Sequence, residues 1–259
     1  MRVLQAAGAA LNPRLHLVLG PTGIGKTHRA VAAAIDSRCP VIALDRIQCH
    51  PELTTGSGRP LARDLAGTTR LYLDKRPLSH GPIAARPAVD RLVDAARRLL
   101  RGGATTLILE GGSNSILREL AQRTDWCEGW TLDVTAYVEG NPRRYEAAVA
   151  RRVEQMVGYR TGSADTRTLQ EELADVSDDP SARKHLAEVI GFREAIELCE
   201  QHSLTPLELT GPPGHLWRYE LSERIRCAHL AYARQQRHAI ATALPALHDL
   251  AEGVELCES

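Results

Sequence analysis

The chain has 259 residues, 43% of them hydrophobic and 25% charged, which supports a large buried core and excludes a disordered polar chain. Lys+Arg and Asp+Glu are both 32, so the formal net charge is zero and the basic excess of a dedicated nucleic-acid binder is absent; only a local basic patch stays open. Aromatics are 4% of the chain, with Phe192 the single phenylalanine, so a core of Leu, Val, Ile and Ala is expected and ladders of stacked bases are not.

Residues 1–14 are Ala-rich, lack a signal core ahead of a cleavage site, and read as an N-terminal extension. Residues 15–19 are a short apolar run ending at Gly20 and predict a buried strand. A glycine-rich turn follows, and the Ala-rich stretch 26–37 predicts a helix, alanine being the best helix former. Residues 40–44 predict a second buried strand, stopped by Asp45. Residues 50–70, rich in Pro, Gly, Thr and Ser, predict a long loop. Residues 82–101 carry apolar side chains three and four apart and stop at Gly102-Gly103, the pattern of a helix with its C-terminal glycine. Residues 105–109 predict a third strand and 130–134 a fourth.

Strands alternating with helices predict a parallel α/β sheet over 15–140. Asn141-Pro142 is a cap and first-turn pair for a helix reaching Val157. Further helices are expected over 179–200 and 215–241, with no strand, so 141–259 reads as a helical subdomain leaning on the sheet. The six cysteines are at least ten residues apart and show no metal or redox spacing, which predicts reduced thiols and a cytoplasmic location. No apolar run reaches the roughly 18 residues of a membrane span, so no membrane partner is expected.

The decisive stretch is Gly20-Pro21-Thr22-Gly23-Ile24-Gly25-Lys26-Thr27. Four residues separate the glycines, and Lys then Thr follow, with a strand before and a helix after. Gly20 and Gly25 permit backbone angles closed to other residues. The loop then turns successive N–H groups inward onto phosphate oxygens, and the helix start adds its positive end. Lys26 supplies a point charge and Thr27 a hydroxyl for Mg²⁺. The motif alone leaves the phosphorylated ligand and the reaction open.

Asp45 ends the second strand, on the edge of the sheet where ligands of α/β proteins bind. It is either a functional carboxylate or a turn cap. Thr54 to Pro60, with Ser57 and Arg59, is a polar loop suited to a second substrate. Glu110, ending the third strand, is either a carboxylate near Mg²⁺ or a cap for the next helix. Arg143, Arg144, Arg151 and Arg152 lie on one helix, either as a solvated face or closing over a phosphate chain. From these residues alone the first expectation is a small-molecule kinase.

The ordered motifs are more specific. Gly20-Pro21-Thr22 with Gly25-Lys26-Thr27, Leu44 to Cys49, Thr55 to Pro60, Leu71-Tyr72-Leu73-Asp74 with Arg76-Pro77-Leu78, and Leu107 to Ser113 together resemble the adenylate isopentenyltransferases of plant-associated bacteria, the agrobacterial cytokinin synthases. The resemblance runs from Leu15 to about Leu120 and weakens through Gly191-Phe192-Arg193 and Tyr232 to Gln236. It implies a phosphate-loop fold and transfer of a dimethylallyl group from dimethylallyl diphosphate to the exocyclic amine of AMP, with Mg²⁺ and no stable nucleic-acid partner. By resemblance, Asp45 is the general base, with Thr22 and Lys26 also catalytic. Residues Gly20, Pro21, Thr22, Gly23, Ile24, Gly25, Lys26, Thr27 and Arg234 hold the donor diphosphate, Thr27 on the metal. Asp45, Ser57, Gly111, Gly112, Ser113 and Glu188 hold the acceptor. The helical half is then the cover that keeps water out.

Two departures stand out. Gly23-Ile24 replaces a small polar or thiol pair. Ile190 and Tyr232 stand where the agrobacterial enzymes line the far end of the prenyl pocket with polar Asp and His. An apolar Ile190 favours the plain dimethylallyl tail over a hydroxylated one, since a buried unpaired hydroxyl costs about 1–3 kcal/mol. Alternatives are a tRNA dimethylallyltransferase, against which stand the short chain, the missing zinc finger and the zero net charge; a metabolite kinase; and a non-catalytic nucleotide-binding regulator.

Overall fold

The structure, a computed structural model, describes residues 12–158, 167–210 and 214–258. Most of the expected extension, residues 1–11, lies outside the described residues, and Arg14 already opens the first strand. Six strands form one parallel sheet: β1 (Arg14–Leu19), β2 (Val41–Leu44), β3 (Arg70–Tyr72), β4 (Thr106–Gly111), β5 (Thr131–Val138) and β6 (Ala251–Glu258), in the order β3-β2-β4-β1-β5-β6. The helices are α1 (Lys26–Ser37), α2 (Ala85–Arg101), α3 (Asn114–Leu120), α4 (Pro142–Val157), α5 (Leu169–Asp175), α6 (Pro180–Leu186), α7 (Phe192–His202) and α8 (Gly214–His248).

The central strands are apolar on both faces because both faces are covered. Leu15, Leu17 and Leu19 of β1 face α2, α3 and the last turns of α8, where Val89, Leu92, Ile116, Ile240 and Leu247 close the main core. Val18, Val41 and Ile108 point the other way, onto Ala30 and Ala34 of α1. A second core lies in the helical half, built by α4, α5, α6, α7 and the first half of α8 around Phe192. Ile24 of the glycine-rich loop belongs to this second core, so the loop is the seam between sheet and helices.

The α4 start follows the sequence reading: the Asn141 side chain accepts from the Arg144 amide, 3.1 Å, and Pro142 takes the first turn. Four expectations are corrected. The helix expected over 179–200 is two helices, broken where Gly191 adopts φ +98°; the Glu194 carboxylate caps the second by accepting from the Gly191 amide, 2.6 Å. The long α8 runs past 241 to His248, with Pro245 inside it. The region 141–259 is not all helical, because residues 251–258 return to the sheet as β6 beside β5. Three glutamates and a glycine make that segment a poor strand by composition. It is an edge strand, where charges are tolerated and pairing with the neighbour decides the conformation. The expected loop over 50–70 gives way to β3 at Arg70, a three-residue strand too short to show a period.

Candidate active site

The carboxyl ends of β1, β2 and β4 converge, because Leu19 and Leu44 both lie level with Gly111. Gly112 is pressed so close that a Cβ there would sit 2.6 Å from the Gly20 carbonyl oxygen. The glycine-rich loop leaves β1 at this point. Gly25 takes φ +91° as the N-cap of α1. Gly23 takes φ +79°, and a Cβ on it would lie 2.9 Å from Val149 of α4. That glycine answers to the helix packed on the loop as well as to its own turn.

Lys26 folds back over its loop, its Nζ donating to the Pro21 carbonyl at 2.8 Å. Burial holds its pKa below the ordinary lysine value, while Glu110 and Asp45 oppose the shift. Two bonds from distant helices fix the loop's apex, and a third ties it to the end of β4. The Thr22 amide donates to Gln236 Oε1 at 2.7 Å, and Gln236 Nε2 donates to the Gly112 carbonyl at 2.7 Å. The Tyr145 hydroxyl donates to the Thr22 carbonyl at 2.7 Å. Burial pushes the Tyr145 phenol up to about 12, which keeps it a donor.

Asp45 is a turn cap, and its carboxylate lies within electrostatic reach of Lys26. Its Oδ1 accepts from the amides of Ile47 at 2.8 Å and Gln48 at 3.4 Å, a turn cap that fixes the carboxylate at the strand end. Burial raises its pKa above the ordinary carboxylate value, with the neighbouring Glu110 adding to the rise and the two amides and Lys26 opposing it. Tyr232 faces the same carboxylate from α8, its own pKa raised by burial first and by Asp45 second.

Glu110 is an ion-pair partner. Its Oε2 accepts from Arg70 at 2.6 Å, with side-chain exposures of 6% and 1%. Its Oε1 accepts from the Thr27 hydroxyl at 3.3 Å. Ser113, not Glu110, occupies the N-cap of α3. Among the described residues no cluster of three or more His, Cys, Asp or Glu could hold a metal. A hydroxyl and a carboxylate oxygen beside a phosphate loop fit Mg²⁺, which takes few protein oxygens and completes its shell with substrate phosphates and water.

Across the cleft, residues 54–59 form the facing loop. Glu172 of α5 grips it, Oε1 accepting from the amides of Thr54 at 2.8 Å and Thr55 at 2.7 Å, and Oε2 from Gly56 at 2.9 Å. Gly56 lies flat on Phe192, where a Cβ would be 2.3 Å from the ring. The Ser57 hydroxyl donates to the Leu53 carbonyl at 2.6 Å, and the Arg59 guanidinium stacks 3.9 Å over Tyr72. Arg152 of α4 turns inward and donates to the Thr55 carbonyl at 3.4 Å, while Arg143, Arg144 and Arg151 are exposed.

The structure therefore gathers Gly20 to Thr27, Asp45, Gly111, Gly112, Ser113 and Tyr232 at one strand edge, with Ser57 on the loop opposite. Ile190 is half-buried on the turn before α7. Glu188 and Arg234 are exposed, and among the described residues no hydrogen bond or ion pair ties either to the phosphate loop. Sequence reasoning missed Gln236, Tyr145, Glu172 and Arg70. Each acts from far along the chain, and nothing in its local pattern marks it.

The chain is 36% identical over 239 residues to an adenylate dimethylallyltransferase of Agrobacterium tumefaciens (strain Ach5), covering 92% of this chain and 97% of that one. It is 38% identical over 224 residues to the Agrobacterium vitis protein of the same name, covering 86% and 90%. A tRNA delta(2)-isopentenylpyrophosphate transferase from Staphylococcus epidermidis shares the fold, with a TM-score of 0.67 at 13% identity over 95% of this chain and 93% of that one. With the isopentenyl transferase family model matching residues 13–249, the chain belongs to the isopentenyl transferase family.

Proposed function

We infer that the protein is an adenylate dimethylallyltransferase: it moves a dimethylallyl group from dimethylallyl diphosphate to the exocyclic amine of AMP and releases diphosphate. The observation that carries this reading is the meeting of Lys26 and Asp45 at one strand edge beneath a second, separately held loop. A lysine-bearing phosphate loop and a carboxylate at one strand edge suit the roles of diphosphate cradle and base. Similarity to the agrobacterial relatives named for this activity supports the same reading.

The chemistry follows from the side chains. Adenine's exocyclic nitrogen is a weak nucleophile, its lone pair delocalised into the ring. It attacks the allylic carbon; the carbon–nitrogen bond forms and the carbon–oxygen bond to diphosphate breaks. The nitrogen becomes acidic as the bond forms, and the ionised Asp45 carboxylate takes that proton. Lys26 and the loop amides spread the charge growing on the departing oxygen. Thr27 and Glu110 are the residues that would hold Mg²⁺, which when bound would supply further neutralisation of that charge. The helices over the cleft exclude water, which would otherwise capture an allyl cation-like carbon. By resemblance Ile190 stands at the tail end of the prenyl pocket, where an apolar side chain suits the plain dimethylallyl group.

The test mixes purified protein, Mg²⁺, dimethylallyl diphosphate and AMP and looks by mass for prenylated AMP, with ADP, ATP and tRNA as parallel acceptors. Product with AMP is expected, none if either substrate is left out. ATP hydrolysis without any prenylated product would overturn the reading in favour of a kinase.

A further inference from the structure

A cleft opens between the apex of the phosphate loop and the 54–59 loop. Thr22 and Gly23 form one wall, Gly56, Ser57 and Gly58 the other, and α4 and α8 supply Arg152 and His229. Both nitrogens of the His229 ring are buried, and neither finds a hydrogen-bond partner among the described residues. Buried polar atoms are nearly always paired, so an imidazole with two free nitrogens on a cleft wall is poised to bond what enters. Arg152 spends one nitrogen on a long bond to Thr55 and lines the same cleft, with the carboxylates of Asp64 and Glu172 near enough to act on its charge. The wall is thus a guanidinium and an imidazole set between two loops that the reading above assigns to phosphorylated substrates.

We propose that His229 and Arg152 form a phosphate subsite, in which His229 takes up a proton as the anion arrives and donates an N–H to a phosphate oxygen. This rests on the nucleotide-prenylation reading. The anion is either the nucleotide's 5′-phosphate or the donor's diphosphate, which share the chemistry. Before binding the ring is neutral: burial first, and the Arg152 cation last, hold its pKa down to about 4, against the opposing pull of Glu194 on α7. Glu194 is bound to Arg193 and to the Gly191 amide, and on α8 itself Glu223 and Arg226 pair with each other. A phosphate dianion against the ring reverses the balance, because an opposite charge at contact favours the protonated form. Affinity for that anion then rises as pH falls from neutrality, until the phosphate's own second ionisation, at about 6, begins to remove the dianion.

Calorimetric titration of the full chain with AMP and with inorganic pyrophosphate, each in two buffers of different ionisation heat, reads both affinity and proton uptake. For one of the two anions we expect uptake of about one proton at neutral pH. His229→Gln, which keeps a donor but does not titrate, should abolish that uptake and weaken the same anion about tenfold. The anion that responds identifies the source of the phosphate. His229→Phe, checked for fold by circular dichroism, should weaken it at least as much. Wild-type protein that binds without proton uptake for both anions, or variants that bind both with unchanged affinity, overturn the subsite alone. Wild-type protein that binds neither anion at millimolar concentration overturns the subsite and the nucleotide reading together.

Discussion

The phosphate loop and the 54–59 loop face each other across one cleft but draw their shape from different distances. In the phosphate loop the glycine conformations, the Lys26 bond to Pro21 and the start of α1 all arise within residues 20–27. The 54–59 loop is clamped by Glu172, 116 to 118 positions further along, and backed by Phe192 and Arg152. A loop shaped mostly by its own residues needs the cover only at its apex, where Gln236 and Tyr145 hold Thr22. A loop held by one buried carboxylate depends on the whole helical half being in place, so substrate selection is coupled to the cover and the diphosphate cradle much less so.

The largest expected effect tests where the chemistry sits. Asp45→Ala should lower kcat by about 10²–10⁴ while leaving dimethylallyl diphosphate binding close to wild type. A near-normal rate would move the base to the far side of the cleft and break the division of labour. The pH profile sharpens it. Burial raises the Asp45 pKa, so kcat/KM should fall as pH drops through a point above the ordinary carboxylate value. The Lys26 pKa is lowered, so any loss on the alkaline side attributable to Lys26 should begin below the ordinary lysine value.

Next in size is Glu172→Ala. It strips three amides of their acceptor, and we expect a loss of about 2–3 kcal/mol in urea unfolding, since each buried unpaired group costs about 1–3 kcal/mol and the loop can recover part from water. The AMP KM should rise about tenfold, in line with the loss of charged hydrogen bonds, with the donor KM little changed. Equal rises in both would show that the two loops are not held independently.

The same contrast explains what the sequence made legible. The phosphate loop, the ends of β2 and β4, and the capped start of α4 are local features, each readable from a few neighbouring residues. Asp45 was placed by the strand before it. Glu172, Gln236 and Tyr145 lie on helices whose patterns indicate only burial, and their partners are fixed by how the helical half docks. The β6 strand was hidden for a related reason: its conformation comes from β5, not from its own glutamates and glycine. The split at Gly191 was signalled by the glycine, but a glycine inside an apolar pattern does not by itself say that a helix ends.

The smallest effect probes the point where the contrast blurs. Gln236 reaches the phosphate loop from 214 positions away, accepting from the Thr22 amide and donating to the Gly112 carbonyl. One buried side chain thus ties the cradle to the end of β4, beside Asp45. If the cradle is shaped locally, Gln236 sets only the tilt of its apex. Gln236→Leu keeps the bulk and loses both bonds, each worth about 0.5–1.5 kcal/mol net. The expected result is a donor KM raised about fivefold, equivalent to roughly 1 kcal/mol, with kcat for AMP prenylation within about twofold. A collapse of donor binding would mean that the glycines alone do not form the cradle and that α8 builds it. The two loops would then differ in degree of remote support, not in kind.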